Sequence, residues 1–321
     1  MPTLAIAGGT SSGLGRAIVT ALLSSQRHSL WNAVILSRSE KVPLWLRAID
    51  KHGARTQVRA VDYLSVESLA EALKGLQTVC TSTVGFWSEG EENIQTTKPF
   101  FEGVWDECSK FKNEIECAKF NPGSYTNYIG HGIYPNPLKV ADDTALQLMS
   151  AGNGYMAGED EACQGLLRQG DLADGSGAFL LGLRNGIAEL PVKDDGSWPR
   201  VTMTTMRDVG RFFVASLELP KWEESMSMAG ETLTMGELLA HAEAVTGKKF
   251  LVNRLTRAYL EKRLSEIAPD DYMAQMWTEF KLAYTRDLDD EMVLKPVVNE
   301  LCPQVQPIGV RKYMEMYWVG V

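Results

Sequence analysis

The chain has 321 residues, 45% of them hydrophobic and 23% charged, a balance that excludes a disordered or fibrous protein and suits one long enough to bury a core without covalent staples. A net charge of −9 and the lack of any Lys/Arg cluster argue against a nucleic-acid partner. The five cysteines, Cys80, Cys108, Cys117, Cys163 and Cys302, contain no CxxC pair and read as free thiols of a reducing compartment, not as a zinc site or a disulfide framework.

In chain order, "TLAIAGG" (Thr3 to Gly9) is a short apolar run that stops at glycines, as a buried parallel strand does. "LGRAIVTALLSSQ" (Leu14 to Gln26) follows with apolar residues at helical spacing. "NAVILSRS" (Asn32 to Ser39) predicts a second strand, "PLWLRAIDKHG" a short helix and "RTQVRAVDY" a third strand. "SVESLAEALKG" begins with Ser65 as N-cap and ends at a glycine, and "LQTVCTSTVG" (Leu76 to Gly85) is a fourth strand. This alternation predicts an α/β fold, a Rossmann-type doubly wound parallel sheet with a smaller C-terminal α/β substrate lobe.

Beyond Gly85 the period loosens. Asp106 to Phe120 is expected to be helical and "SYTNYIGHGIY" (Ser124 to Tyr134) strand-like. Residues 141–186, rich in Gly, Asp and Met, read as an insertion or lid of the substrate lobe. Arg200 to Leu217 predicts a strand and a helix capped between Thr204 and Asp208, with Asp208 and Arg211 bracing it. Glu231 to Phe250 predicts a strand, an N-cap at Thr234 and a helix ending at Gly247. The remainder reads as helical to about Asp287 and irregular after it. The expected domains are 1–135, with parts of 200–217 and 231–235 returning to it, and 136–321.

The glycines Gly9, Gly13 and Gly15 stand between the first strand and the first helix. There Gly9 permits a tight turn, Gly13 lets main chain approach a pyrophosphate, and Gly15 allows close helix–strand packing. Free N–H groups and the positive end of the helix dipole face the anion, with the hydroxyls of Thr10, Ser11 and Ser12 and the main chain of Leu14 beside it. A site for NAD(H) places an acid at the end of the second strand; here Ser37, Arg38 and Ser39 stand there, and a guanidinium suits a 2′-phosphate. NADP(H) is therefore the expected cofactor. Asp62, before Tyr63, either accepts from the adenine amino group or caps the next turn. Ser82, Thr83 and Val84 end the fourth strand at the carboxyl edge, where the cofactor passes.

With "GGTSSGLG", "VILSRS", "VDY", "TSTVG", "TMTTMRDVGRFFVASLELPKW" and "GETLTMGELLAHAEAVTGKKF" in this order, the chain resembles the NmrA-like and isoflavone-reductase-like atypical short-chain dehydrogenases of fungal type. The resemblance implies an NADP-binding Rossmann domain, a smaller C-terminal lobe and reduction of small aromatic or specialised metabolites, or else an NADP-binding regulator. The GxxxGxG spacing fits the wider dehydrogenase family better than the GxxGxxG of this group, and the group's serine-rich fifth-strand loop has no match in Phe86 to Phe111. No Tyr-x-x-x-Lys pair suited to proton donation occurs on a helix at the right place. The resemblance instead puts Lys112 in the place of a lone lysine that holds the nicotinamide ribose and donates a proton. His131 and Tyr134, on the run expected to end near the nicotinamide, are further acid/base candidates.

The function expected is NADPH-dependent hydride transfer to C=O, C=C or C=N of a small, largely apolar metabolite. A redox-neutral isomerase, cyclase or rearrangement enzyme on the same scaffold, and a non-enzymatic NADP(H)-sensing regulator, stay open. A strand starting so near Met1 and the lack of a long apolar run predict a cytoplasmic protein with no membrane partner, and the spacing of acids and histidines suggests no metal. The sequence says little about oligomeric state, and a monomer or homodimer is expected.

Overall fold

The computed structural model describes residues 2–10, 14–50, 52–76, 78–81, 118–129, 180–183, 186–286, 290 and 292–319. Among these residues the chain forms two compact units, one holding those up to 120 and 209–226, the other 121–129, 180–208 and those from 227 on.

In the first unit, β1 (Thr3–Ala7), β2 (Asn32–Ser37), β3 (Thr56–Ala60) and β4 (Thr78–Thr81) make a parallel sheet in the order β3-β2-β1-β4. Helices α1 (Leu14–Ser24), α2 (Leu44–Ile49) and α3 (Val66–Leu73) fill the crossovers. Side chains alternate across a strand, so Leu4, Ile6, Ala33 and Ile35 enter one apolar cluster with Ile18, Val19 and Leu22 of α1 and with Trp45 and Leu46 of α2. Ala7, Val34 and Leu36 enter a second cluster with Ala72 of α3. A parallel sheet covered on both faces is the Rossmann arrangement.

Helix α4 (Met206–Ser216), part of this unit from Val209 on, adds Phe213 and Val214 to the first cluster. Its close approach to α1 requires Gly210, where a Cβ would stand 2.5 Å from the Ala17 carbonyl oxygen. The carboxyl end of α1 is closed by Arg55, whose guanidinium donates to the carbonyls of Leu22 (3.2 Å), Leu23 (2.9 Å), His28 (2.7 Å) and Trp31 (3.3 Å). A cation there satisfies the last carbonyls and complements the helix dipole. Ser65 caps α3 as its sequence suggests, accepting from the Ser68 N–H at 3.2 Å.

Short strand β5 (Lys119–Asn121) pairs with β10 (Ser225–Ser227). Among the described residues the second unit has two three-stranded sheets. One contains β6 (Ser124–Tyr125), β9 (Arg200–Thr204) and β11 (Glu231–Thr234) in the order β11-β9-β6. The other contains β7 (Leu181–Gly182), β8 (Ile187–Pro191) and β12 (Leu251–Leu255) in the order β12-β8-β7. Helices α5 (Met235–Thr246), α6 (Arg257–Glu266), α7 (Tyr272–Arg286), α8 (Val297–Leu301) and α9 (Val310–Tyr317) complete it. Leu190, Val201, Met203, Leu238, Tyr284, Tyr313 and Trp318 lie in its core.

Several expectations change. The strand-like run from Ser124 keeps only two strand residues before a single 3-10 turn at Thr126–Tyr128. The described end of the segment expected to be helical is β5. β8 and β12 were not expected, and the tail called irregular contains α8 and α9.

Candidate cofactor site

Because β1 to β4 run parallel in one sheet, their carboxyl ends share one edge, where a doubly wound sheet binds its ligands. β1 leaves the sheet there through Gly8, whose φ of +72° an L side chain rarely adopts. Its N–H is shared between the Leu36 carbonyl at 3.2 Å and the Tyr63 hydroxyl at 3.1 Å. Gly9 follows, and a Cβ there would stand 3.0 Å from Ile35 Cγ2 and 3.1 Å from Ile6 Cγ2. The sequence gives Gly9 the tight turn; in the structure Gly8 makes the turn, and Gly9 lets the loop lie close against the sheet.

Helix α1 opens at Leu14, with Gly15 buried in its first turn and no acidic residue there. Its N-terminal N–H groups and dipole therefore meet no carboxylate of their own turn, which suits an incoming anion. Arg16, overlooked in the sequence, is 2% exposed, and its guanidinium carbon stands 5.6 Å from the centre of the Trp45 ring. The signal available was a lone cation on the apolar face of "LGRAIVTALL".

At the end of β2 the hydroxyls of Ser37 and Thr10 share a hydrogen bond of 3.1 Å. Arg38, the next residue, is exposed, as is Ser39, whose N–H makes a long contact with Ser37 Oγ at 3.5 Å. Among the described residues Arg38 has no ion-pair partner. Asp62 uses one carboxylate oxygen to accept from the Leu64 N–H at 2.9 Å, the turn-capping role that its position allowed. Tyr63 donates from its hydroxyl to the Leu36 carbonyl at 2.9 Å. Burial raises the Tyr63 pKa above the ordinary phenol value, against weaker lowering by the Gly8 N–H and the Arg38 charge. The phenol thus stays protonated and keeps its role as donor. The Cys80 thiol on β4 is pushed up to about 12 by burial, which makes it a poor nucleophile.

This edge brings together Gly9, Thr10, Leu14, Gly15, Ser37, Arg38, Ser39, Asp62 and Tyr63. Ser11, Ser12 and Gly13, with Ser82, Thr83 and Val84, lie outside the described residues, as do Lys112, His131 and Tyr134. A turn that excludes side chains, a helix N-terminus and an exposed cation at the end of the neighbouring strand fit a dinucleotide with a phosphorylated adenosine ribose. Among the described residues no group of three His, Cys, Asp or Glu side chains gathers as a metal site, and no helix is long and apolar enough to cross a membrane.

No protein-family model matches the chain. In sequence it is 28% identical over 264 residues to the oxidoreductase BOA1 of Botryotinia fuckeliana (strain B05.10), covering 78% of each protein. In structure it is similar to a nucleoside-diphosphate-sugar epimerase from Staphylococcus aureus, with a TM-score of 0.60 at 17% identity over 98% of this chain and 100% of that one. It is also similar to leucoanthocyanidin reductase from Vitis vinifera in complex with NADPH, with a TM-score of 0.55 at 15% identity over 98% and 99% of the two chains. An isoflavone reductase matches with a TM-score of 0.54 at 15% identity over 97% and 98%. At these identities the likeness to the solved structures is one of fold, and it runs along nearly the whole chain.

Proposed function

We propose that the chain is an NADPH-dependent oxidoreductase acting on small, largely apolar specialised metabolites. The observation that carries this reading is the meeting, on one edge of a parallel sheet, of the Gly8–Gly9 turn into α1 with Arg38 at the end of β2. NADPH, when bound, supplies a hydride to a polarised C=O, C=C or C=N. The main chain of the glycine turn and the N-terminus of α1 hold the pyrophosphate, with the hydroxyls of Thr10, Ser11 and Ser12. Arg38, flanked by Ser37 and Ser39, takes the 2′-phosphate. Lys112 holds the nicotinamide ribose and donates a proton, with His131 and Tyr134 as further acid/base groups, and Ser82 to Val84 flank the cofactor. The named relatives support this reading, since one is an oxidoreductase and two are reductases named for aromatic metabolites. The protein would act in the cytoplasm, as a monomer or homodimer.

The fold shared with an epimerase favours a second reading, in which the chain catalyses a reaction without net redox change. NADPH carrying deuterium at the transferable nicotinamide position separates the two. The purified protein is incubated with it and a panel of aromatic ketones, enones and quinones. Deuterium in a product, matched by loss of NADPH, supports the oxidoreductase. A product formed without deuterium and without NADPH loss supports the second reading. Binding of NADPH with no product from any of the panel counts against both.

A further inference from the structure

The Tyr63 hydroxyl is in an unusual position. Tyr63 lies three residues beyond β3, yet its side chain reaches past β2 to the exit of β1. The hydroxyl donates to the Leu36 carbonyl at 2.9 Å and accepts from the Gly8 N–H at 3.1 Å. Gly8 and Leu36 also bond each other directly, at 3.2 Å, which closes a three-cornered network. Neither main-chain group needs the phenol in order to be satisfied. The ring packs beside Ala7, Val34, Leu36 and Val61, and a phenylalanine ring would fill the same space. What the hydroxyl adds is a second tether on Gly8, at the one described residue of the turn with a positive φ.

A second link runs parallel to the first. Thr10, two residues further along the turn, shares its hydroxyl hydrogen bond with Ser37. Gly8 and Thr10 are thus tied to Leu36 and Ser37, the two residues immediately before Arg38. The pyrophosphate and the 2′-phosphate belong to one ligand, and the adenosine ribose fixes their spacing. A protein that holds its two anion-recognising loops at a matching spacing avoids the cost of ordering them on binding. NADH has no 2′-phosphate and does not test that spacing.

We propose that Tyr63 is a positioning residue for NADPH selectivity, its hydroxyl latching the glycine turn to the end of β2 so that the turn and Arg38 act as one recognition unit. The proposal rests on the NADPH reading above. It is tested by fluorescence titration of the full-length protein with NADPH and with NADH, in wild type, Tyr63→Phe and Thr10→Val. Thermal melting of each variant reports whether it is folded. Tyr63→Phe is expected to lose about three- to tenfold in NADPH affinity, the worth of one hydrogen bond, while NADH affinity stays the same. Thr10→Val removes the parallel link at nearly constant volume and also any Thr10 hydroxyl contact with the pyrophosphate that both nucleotides share, so only the ratio of the two affinities is read from it; a shift of that ratio against NADPH decides the matter if Tyr63→Phe does not fold. An equal loss for both nucleotides, or no loss, overturns the proposal and leaves the NADPH reading standing. A wild type that binds neither nucleotide overturns that reading, and the proposal falls with it.

Discussion

Substituting Gly210 by alanine sets two opposed effects against each other. In a helix interior alanine is favoured over glycine by about 1 kcal/mol. At this position, however, the new Cβ would stand 2.5 Å from the Ala17 oxygen, 2.7 Å from the Ala17 carbonyl carbon and 3.0 Å from the Ile18 nitrogen. All three are main-chain atoms of α1, so no side chain can turn aside. Ordinary contact begins at 3.4 Å, which leaves a shortfall of 0.9 Å (3.4 − 2.5) that α4 can relieve only by moving off α1. Such a movement also loosens Phe213 and Val214, which share a cluster with Ile18 and Leu22. Overpacking costs about 1–3 kcal/mol, and a clash between two backbones lies at the upper end, so the net loss is about 2 kcal/mol. For a unit of this size that lowers the melting temperature by about 4–8 °C. Thermal unfolding of wild type and Gly210→Ala in one buffer, followed by tryptophan fluorescence, measures it. A variant that melts at or above the wild-type temperature would show that helix propensity governs this crossing, and the packing argument would be wrong.

Two further outcomes follow from buried polar groups. Asp208 is fully buried; its Oδ2 accepts from the Thr205 hydroxyl and from the Ile308 N–H, each at 2.8 Å. Asp208→Ala strands both donors and is expected to cost about 3 kcal/mol in urea unfolding, with Asp208→Asn recovering part of it; a loss below about 1 kcal/mol contradicts this account. The side chain of His28 is 3% exposed, with Ser25 Oγ 2.8 Å from Nδ1 and Glu218 Oε1 3.7 Å from Nε2. Burial holds its pKa below the ordinary imidazole value of 6.5, with Glu218 pulling it upward less strongly. The unfolded chain therefore takes up this proton before the folded one does. His28 contributes its full stability above about pH 6.5 and loses it as the pH falls from there through its folded pKa. Unfolding measured from about pH 8 to pH 5 should show wild type losing more stability than His28→Gln; a difference that stays constant or changes in favour of wild type on acidification would contradict the assignment.

The elements that were legible in the sequence carry their own punctuation. β1 to α3 are apolar runs bounded by glycines or caps, and Ser65 acts as the cap its spacing predicts. Thr234 and Glu237 likewise form a capping box, and α5 stops at Gly247 with φ +71°. β8 and β12 were hidden because their polar residues find partners only in the folded chain. Glu189 on β8 pairs with Lys281 at 2.7 Å, and Arg254 on β12 lies over the Trp198 ring at 4.7 Å. Asp62 was half legible, since its turn bond reaches only two residues on. The position of the Tyr63 hydroxyl was not legible at all, because it depends on the register that places β2 between β3 and β1. Nor does a Gly8-Gly9 pair reveal which glycine takes the positive φ and which lies against the sheet.

Titration of wild type and Arg38→Ala with NADPH and with NADH decides whether Arg38 recognises a 2′-phosphate. Wild type is expected to prefer NADPH, and Arg38→Ala to lower NADPH affinity about ten- to hundredfold, the worth of a charge-assisted phosphate contact, with little change for NADH. A wild type that binds NADH as tightly as NADPH, or an Arg38→Ala variant that keeps the preference, would contradict this expectation.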